Sequence, residues 1–126
     1  MEYGFPKSRR LLKRREFRTV YDTGTPYHNA GFHLFVVAGQ LQENQAPAPT
    51  RIGLTVTRDK GGAVVRNRLR RWARETFRLS QDRIRPGFDL ALNFHRSLVP
   101  KDRAEFDRLF LQVLRKARVL NDEPGA

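Results

Sequence analysis

The chain contains no cysteine, which excludes disulfide staples, thiolate nucleophiles and cysteine-ligated metals. Its three histidines, His28, His33 and His95, have no metal-ligand spacing among themselves, so no transition-metal site is expected. No segment approaches the roughly 18 consecutive apolar residues of a membrane span, and the N-terminus lacks the apolar run of a signal peptide. A cytoplasmic location without a membrane partner is the expectation. The nucleophile elbow G-x-S-x-G and the phosphate-binding GxxxxGKS/T loop are both missing, and the acids are scattered without a paired-carboxylate pattern. A hydrolytic centre borne by the protein is therefore not expected, nor is bound ATP or GTP.

Acidic residues are also few, 13 against 25 Lys+Arg, which leaves a formal net charge of +12. Self-repulsion of that size opposes compaction, and a polyanionic partner relieves it. Twenty of the basic residues are Arg and five are Lys. The guanidinium fork matches phosphate oxygens two at a time, where an ammonium is a point charge. Solubility alone does not call for that bias, so nucleic acid leads the partner classes.

The 126 residues, 39% of them hydrophobic, suffice for one modest core. A single domain over 1–126 is expected, with a basic arm at about 1–10, a loose loop "QLQENQAPAPT" at 40–50 and a frayed tail at about 121–126. "KRREFRTVYDT" (13–23) reads as a helix with Phe17, Val20 and Tyr21 at i, i+3, i+4 and Gly24 placed to end it in a left-handed turn. "FHLFVVA" (32–38) and "RIGLTVT" (51–57) read as strands, the second with Ile52, Leu54 and Val56 on one face. The loop joining them predicts an antiparallel pair, and a weaker strand signal lies around Tyr27–Asn29. "GFDLALNFH" (87–95) alternates with Phe88, Leu90, Leu92 and Phe94 inward. Asp102, with Glu105, caps a last helix whose apolar stripe is Phe106, Leu109, Phe110, Val113, Leu114 and Ala117. Helix, two or three strands, helix, strand, helix predicts an α/β sandwich with one sheet covered by helices.

The segment between the strands, "GGAVVRNRLRRWARETFR" (61–78), holds six arginines and one acid, Glu75. At 100° per residue, Val65, Leu69, Trp72, Ala73, Thr76 and Leu79 share an arc of about 120°. Arg66, Asn67, Arg70, Arg71, Arg74 and Arg78 occupy an opposite arc of about 140°, with Arg68 at its edge. Arginines on a helix are ordinarily a solvated face held by pairs such as Arg71–Glu75, each worth ~0.2–0.5 kcal/mol. One acid cannot neutralise six arginines, and neighbours at i, i+4 repel by similar amounts. Polyphosphate binding supplies the missing reason. Gly61 and Gly62, preceded by Arg58 and Lys60, add a helix N-terminus that an anion can approach closely, and with Arg66 and Asn67 they form a candidate phosphate cradle.

A second cluster, "KSRRLLKRREFR" (7–18), carries seven basic residues and one acid. Cations interleaved with Phe17 and Tyr21 suit the stacking of single-stranded RNA, although a basic arm or a solvated face fits the same composition. The strand 32–38 is apolar on both faces, so its own pattern leaves open whether Phe35 is core or surface.

"RLLKRREFRTVYDTG", "RIGLTVT" and "AVVRNRLRRWARETF" together resemble the bacterial ribonuclease P protein subunit over about residues 9–118. The resemblance implies an α/β sandwich with a four-stranded mixed sheet, three helices in the order α-β-β-β-α-β-α and a left-handed βαβ crossover. It implies partnership with a catalytic RNA that removes the 5′ leader of precursor tRNA, with Mg²⁺ held mainly by that RNA and none by the protein alone. No obligate protein partner is implied. By the resemblance, Arg66, Asn67, Arg68, Arg70, Arg71 and Arg74, with Arg58 and Lys60, meet the RNA subunit. Phe17, Tyr21 and Phe35, with Lys13, Arg14 and Arg18, hold the leader, which makes the His33, Phe35 and Val37 face of the strand the open one. Asp59 and Gly62 depart from the family pattern. Two rival readings use the same residues: a structural RNA-binding protein with no effect on cleavage, and a DNA-binding module with the basic helix in a major groove. The second leaves the strands without a role and has no helix-turn-helix to support it.

Overall fold

The computed structural model describes residues 14–38, 49–56, 61–94 and 102–121. The arm at 1–10, most of the 40–50 loop, nearly all of the tail, and Lys13, Arg58, Asp59 and Lys60 lie outside the described residues. Along the chain come α1 (Arg14–Thr23), β1 (Thr25–His28), β2 (Phe32–Ala38), β3 (Arg51–Thr55), α2 (Ala63–Leu79), a 3-10 turn (Gln81–Arg83), β4 (Phe88–Phe94) and α3 (Arg103–Lys116). The four strands form one mixed sheet in the order β1-β2-β4-β3.

The predicted pairing of 32–38 with 51–57 does not form. β4 lies between them, antiparallel to β2 and parallel to β3. Leu90, Ala91 and Leu92 are fully buried, so the middle of β4 is covered on both faces, as its central place between β2 and β3 requires. The parallel β3–β4 pair needs a crossover, and α2 supplies it.

One face of the sheet carries Phe32 and Leu34 from β2, Ile52 from β3, and Leu90, Leu92 and Phe94 from β4, all buried. Against it pack α2 and α3. Phe32 sits at the centre, edge-on to Phe94, Phe106 and Phe110 at 5.2, 5.4 and 5.8 Å between ring centroids. α3 buries Phe106, Leu109, Phe110, Val113 and Leu114, and the Asp102 side chain caps it by accepting from the Glu105 N–H at 2.9 Å. Asn29 ties the β1–β2 turn to this helix. Its Oδ1 accepts from the Gly31 and Phe32 amides, and its Nδ2 donates to Leu109 O and to Gln112 Oε1.

α1 lies on the opposite face, against β2 and β4, with Val20 buried. Gly24 ends this helix differently from the sequence expectation, because its φ is not in the left-handed region. Its amide donates to Val20 O at 2.8 Å, and a Cβ there would meet that oxygen at 2.5 Å and the Val36 nitrogen at 3.0 Å. Glycine is required by close approach to β2.

Candidate nucleic-acid interface

The stripe that seats α2 is rotated by about 50° from the one read in the sequence. Leu69, Ala73, Thr76 and Phe77 are its buried residues, whereas Leu79 is 60% exposed. Arg66 falls inside the rotated arc, not opposite it. Its side chain is half-buried, and its Nε is enclosed without a hydrogen-bond partner. Arg70 is also half-buried and donates from Nη1 to Asn67 Oδ1 at 3.1 Å. Asn67, Arg68, Arg71 and Arg74 are exposed. The Arg68 guanidinium lies 5.8 Å above the Trp72 ring, and Trp72 in turn meets Phe106 edge-on at 5.4 Å, so a core aromatic fixes the direction of a surface cation.

The single acid of the helix does not serve these arginines. Glu75 accepts from Arg103 of α3 at 2.7 Å instead of pairing with Arg71. Arg103 also bonds Asp107 at 2.8 Å and the buried Thr76 at 3.1 Å, and the Thr76 hydroxyl donates to Asp107 at 2.6 Å. This cluster clips α2 to α3 and takes the one acid of α2 away from its arginine face. At the N-terminus of α2, Gly61 has φ 124, and the N-cap Gly62 provides no side-chain cap. A Cβ on Gly62 would meet nothing within 4 Å among the described residues.

On the other side of the sheet the predicted aromatics come together. Phe17 and Tyr21 are stacked at 6.5 Å, and Tyr21 meets Phe35 at 4.6 Å. The ladder runs from the outer face of α1 down to β2. His33, Phe35 and Val37 are half-buried while Phe32 and Leu34 are closed off, so the open face is the one the resemblance implied. Arg14, Phe17, Arg18, Tyr21 and Asp22 line a pocket of about 290 Å³, and Arg18 leans on Asp22 at 3.6 Å.

α1 is held over this face by Arg51, a residue that no motif or period singles out. Its Nε and Nη2 reach the two oxygens of Asp89 at 3.0 and 2.8 Å, and its Nη1 reaches Glu16 of α1 at 3.0 Å. The hydrogen bond to Asp89 raises the Arg51 pKa well above its ordinary value, outweighing burial, and Glu16 adds to it. Among the described residues no three His, Asp or Glu side chains gather as a metal would need, and Glu16, Glu75, Asp89 and Asp107 are engaged by arginines. No helix among the described residues is long and apolar enough to cross a membrane.

Comparison with known proteins places this arrangement. The family model Ribonuclease P matches residues 5–118. The ribonuclease P protein component of Clostridium botulinum (strain 657) is 31% identical over 116 residues, covering 91% of this chain and 99% of the relative. That of Finegoldia magna is 34% identical over 111 residues, covering 88% and 92%. Among solved structures, the RNase P protein of Staphylococcus aureus superposes with a TM-score of 0.78 at 23% identity, over 91% of this chain and 100% of that one. The RNase P protein of Thermotoga maritima, in complex with a fluorophenyl thiourea, gives 0.64 at 31% identity, over 91% and 100%. With its mixed sheet, its arginine-rich helix and a family match across most of its length, the chain belongs to the ribonuclease P protein family, RNA-binding proteins of tRNA processing.

Proposed function

We propose that this protein docks on the catalytic RNA of ribonuclease P through α2 and holds the 5′ leader of precursor tRNA along α1 and β2. The observation that carries the reading is the diversion of Glu75 to Arg103. It leaves Arg68, Arg71 and Arg74 exposed on one helix face with no acid of that helix to meet them, in a chain of net charge +12. Phosphates of a folded RNA match that face in sign and in fork geometry. The Phe17–Tyr21–Phe35 ladder, on the far side of the sheet, suits unstacked bases of a single strand, with Arg14 and Arg18 beside it for the backbone.

In this reading bond cleavage belongs to the RNA, with Mg²⁺ held mainly by RNA phosphates. The protein binds and orients the leader and screens phosphate charge, which lowers the metal concentration needed. A cytoplasmic site of action without an obligate protein partner goes with that role. The test is cleavage of precursor tRNA by a bacterial ribonuclease P RNA at low Mg²⁺, with and without the protein. Rescue by the wild type and weaker rescue by Arg71→Ala/Arg74→Ala are expected. Tight, salt-sensitive RNA binding with no rescue would overturn the reading in favour of a structural RNA-binding protein.

A further inference from the structure

Helix α2 carries its one acid among its arginines. Arg71 stands four residues before Glu75 and Arg78 three residues after it, the spacings at which ion pairs form on a helix surface. Arg71 is exposed, Arg78 is half-buried, and the Glu75 side chain keeps 38% of its surface open. Left to its own helix, Glu75 would swing onto these two and neutralise part of the face that meets phosphate.

A residue of another helix prevents this. Arg103, the first residue of α3, donates from Nη1 to Glu75 Oε1 at 2.7 Å, from Nε to Asp107 Oδ1 at 2.8 Å and from Nη2 to Thr76 Oγ1 at 3.1 Å. Each nitrogen of the fork has its own acceptor, which fixes the direction of the guanidinium. Burial works against its charge, and the hydrogen bonds to Asp107 and Glu75 outweigh burial and raise its pKa above the ordinary value. The pairing of α2 with α3 does not need the Glu75 bond. The Thr76 hydroxyl donates to Asp107 at 2.6 Å, and Trp72 meets Phe106 edge-on at 5.4 Å. A partly open ion pair adds little to stability, so the main consequence of the Arg103–Glu75 contact is where the negative charge sits.

We infer that Arg103 is a positioning residue for RNA docking: it holds Glu75 off the arginine face of α2 and so sets the charge that face offers to phosphate. The inference rests on the α2 docking reading above and deepens it by naming a residue outside the helix that tunes it. Arg103 acts through Glu75, since its own donors are taken up inside the protein. Its removal leaves Asp107 with the Thr76 hydroxyl and leaves Glu75 with only its own helix to turn to.

The experiment measures binding of the whole chain to a bacterial ribonuclease P RNA across a salt series, with thermal melts of each variant. Arg103→Met should bind about three- to tenfold more weakly near 0.1 M salt, with a salt slope shallower by about 0.8, the equivalent of one phosphate contact. Arg108→Met removes the same charge from an exposed site on the same helix and should stay within about twofold of wild type. Glu75→Gln/Arg103→Met should recover wild-type affinity and slope while melting no higher than Arg103→Met, because the fork is absent from both. A double variant as weak as Arg103→Met would assign the loss to a misplaced helix and overturn the inference. Equal losses in Arg103→Met and Arg108→Met would assign it to net charge and overturn it as well. Glu75→Gln alone, which leaves Asp107 and Thr76 to hold Arg103, should change affinity by less than about twofold. A gain as large as the one it gives beside Arg103→Met would show that the RNA already feels Glu75, against the inference. Wild-type binding by Arg103→Met, with Arg68→Ala/Arg71→Ala/Arg74→Ala impaired, would overturn the role of Arg103 and leave the docking reading standing. A triple variant that binds like the wild type would overturn both.

Discussion

The salt dependence of RNA binding provides a quantitative test of the α2 face. If Arg66, Arg68, Arg70, Arg71 and Arg74 each engage one phosphate, log K falls with log salt at a slope of about −4, from roughly 0.7–0.9 per phosphate. Raising monovalent salt from about 50 to 200 mM then weakens binding about 250-fold. Removing the three exposed arginines by Arg68→Ala/Arg71→Ala/Arg74→Ala leaves two contacts, a slope of about −1.6 and a loss of only about tenfold over the same range. None of the three has a partner that folding needs: Arg68 rests on Trp72, and Glu75 is held by Arg103. The triple variant should therefore melt within a degree or two of the wild type while its salt response flattens. Arg108→Ala, which removes an exposed charge from α3, serves as the control and should leave the slope in place. Fluorescence anisotropy of a labelled ribonuclease P RNA fragment, titrated at four or five salt concentrations, reads both quantities. A triple variant with weaker binding but an unchanged slope would refute the assignment, because loss of affinity without loss of counterion release is not loss of phosphate contacts.

Three further outcomes are expected. Arg51→Met should destabilise the protein by about 2 kcal/mol, below the 3–5 typical of a broken buried pair, since the side chains of Arg51, Glu16 and Asp89 stay 29%, 34% and 26% exposed. The raised Arg51 pKa supplies stability fully present below its unfolded value and lost only as pH rises through the folded one. The difference from wild type in denaturant titrations should therefore be flat between about pH 6 and 10, and a slope there would refute the assignment. Trp72 is the one tryptophan of the chain, so its emission should change on RNA binding with the same midpoint as anisotropy. Trp72→Leu should weaken binding about two- to fivefold through the lost hold on Arg68; emission that ignores saturating RNA would exclude contact on that face. Arg118 has φ 60 at the turn closing α3, where Val119 N donates to Leu114 O and Arg118 N to Arg115 O, a position that favours glycine. Arg118→Gly should raise stability by about 0.5–1 kcal/mol, and a lower melting temperature would refute strain at that residue.

What the sequence made legible was whatever one face of one element decides. Strand β4 and helix α3 read correctly because burial of one side imposes its period on the residues, and the Asp102 cap is a contact three residues long. The errors share a different origin. Pairing β2 with β3 followed from the loop between them, yet the sheet order depends on a strand about forty residues later that inserts between the two. The stripe on α2 included Leu79 and omitted Phe77 because its rotation is set by where α3 and the sheet lie. That rotation also draws Arg66 into the partly buried arc. Glu75 looked like a partner for Arg71 because only local neighbours are visible in a sequence; its actual partner is 28 residues away. Gly24 was read as a φ requirement when the constraint is a backbone oxygen and a neighbouring strand. The ladder of Phe17, Tyr21 and Phe35 required the resemblance, since β2 alone is apolar on both faces.

The distribution of charge links stability to binding. Two arginines, Arg51 and Arg103, are each shared between two carboxylates, and each of those forks joins elements that would otherwise separate: α1 to the sheet in one case, α2 to α3 in the other. Four acids are thereby engaged by two cations inside the protein. The cations left over cannot be matched internally, because acids are outnumbered 13 to 25. The free fold therefore carries its excess positive charge on faces such as the outer side of α2, where i, i+4 repulsion weakens the helix slightly and core packing through Leu69, Ala73 and Phe77 has to hold it. A polyanion relieves that repulsion, so it should bind the folded chain in preference to the unfolded one and raise its stability with concentration. Melting the protein against increasing RNA fragment should raise the midpoint for the wild type and much less for the triple arginine variant. An equal rise in both would mean that the stabilising contacts lie elsewhere.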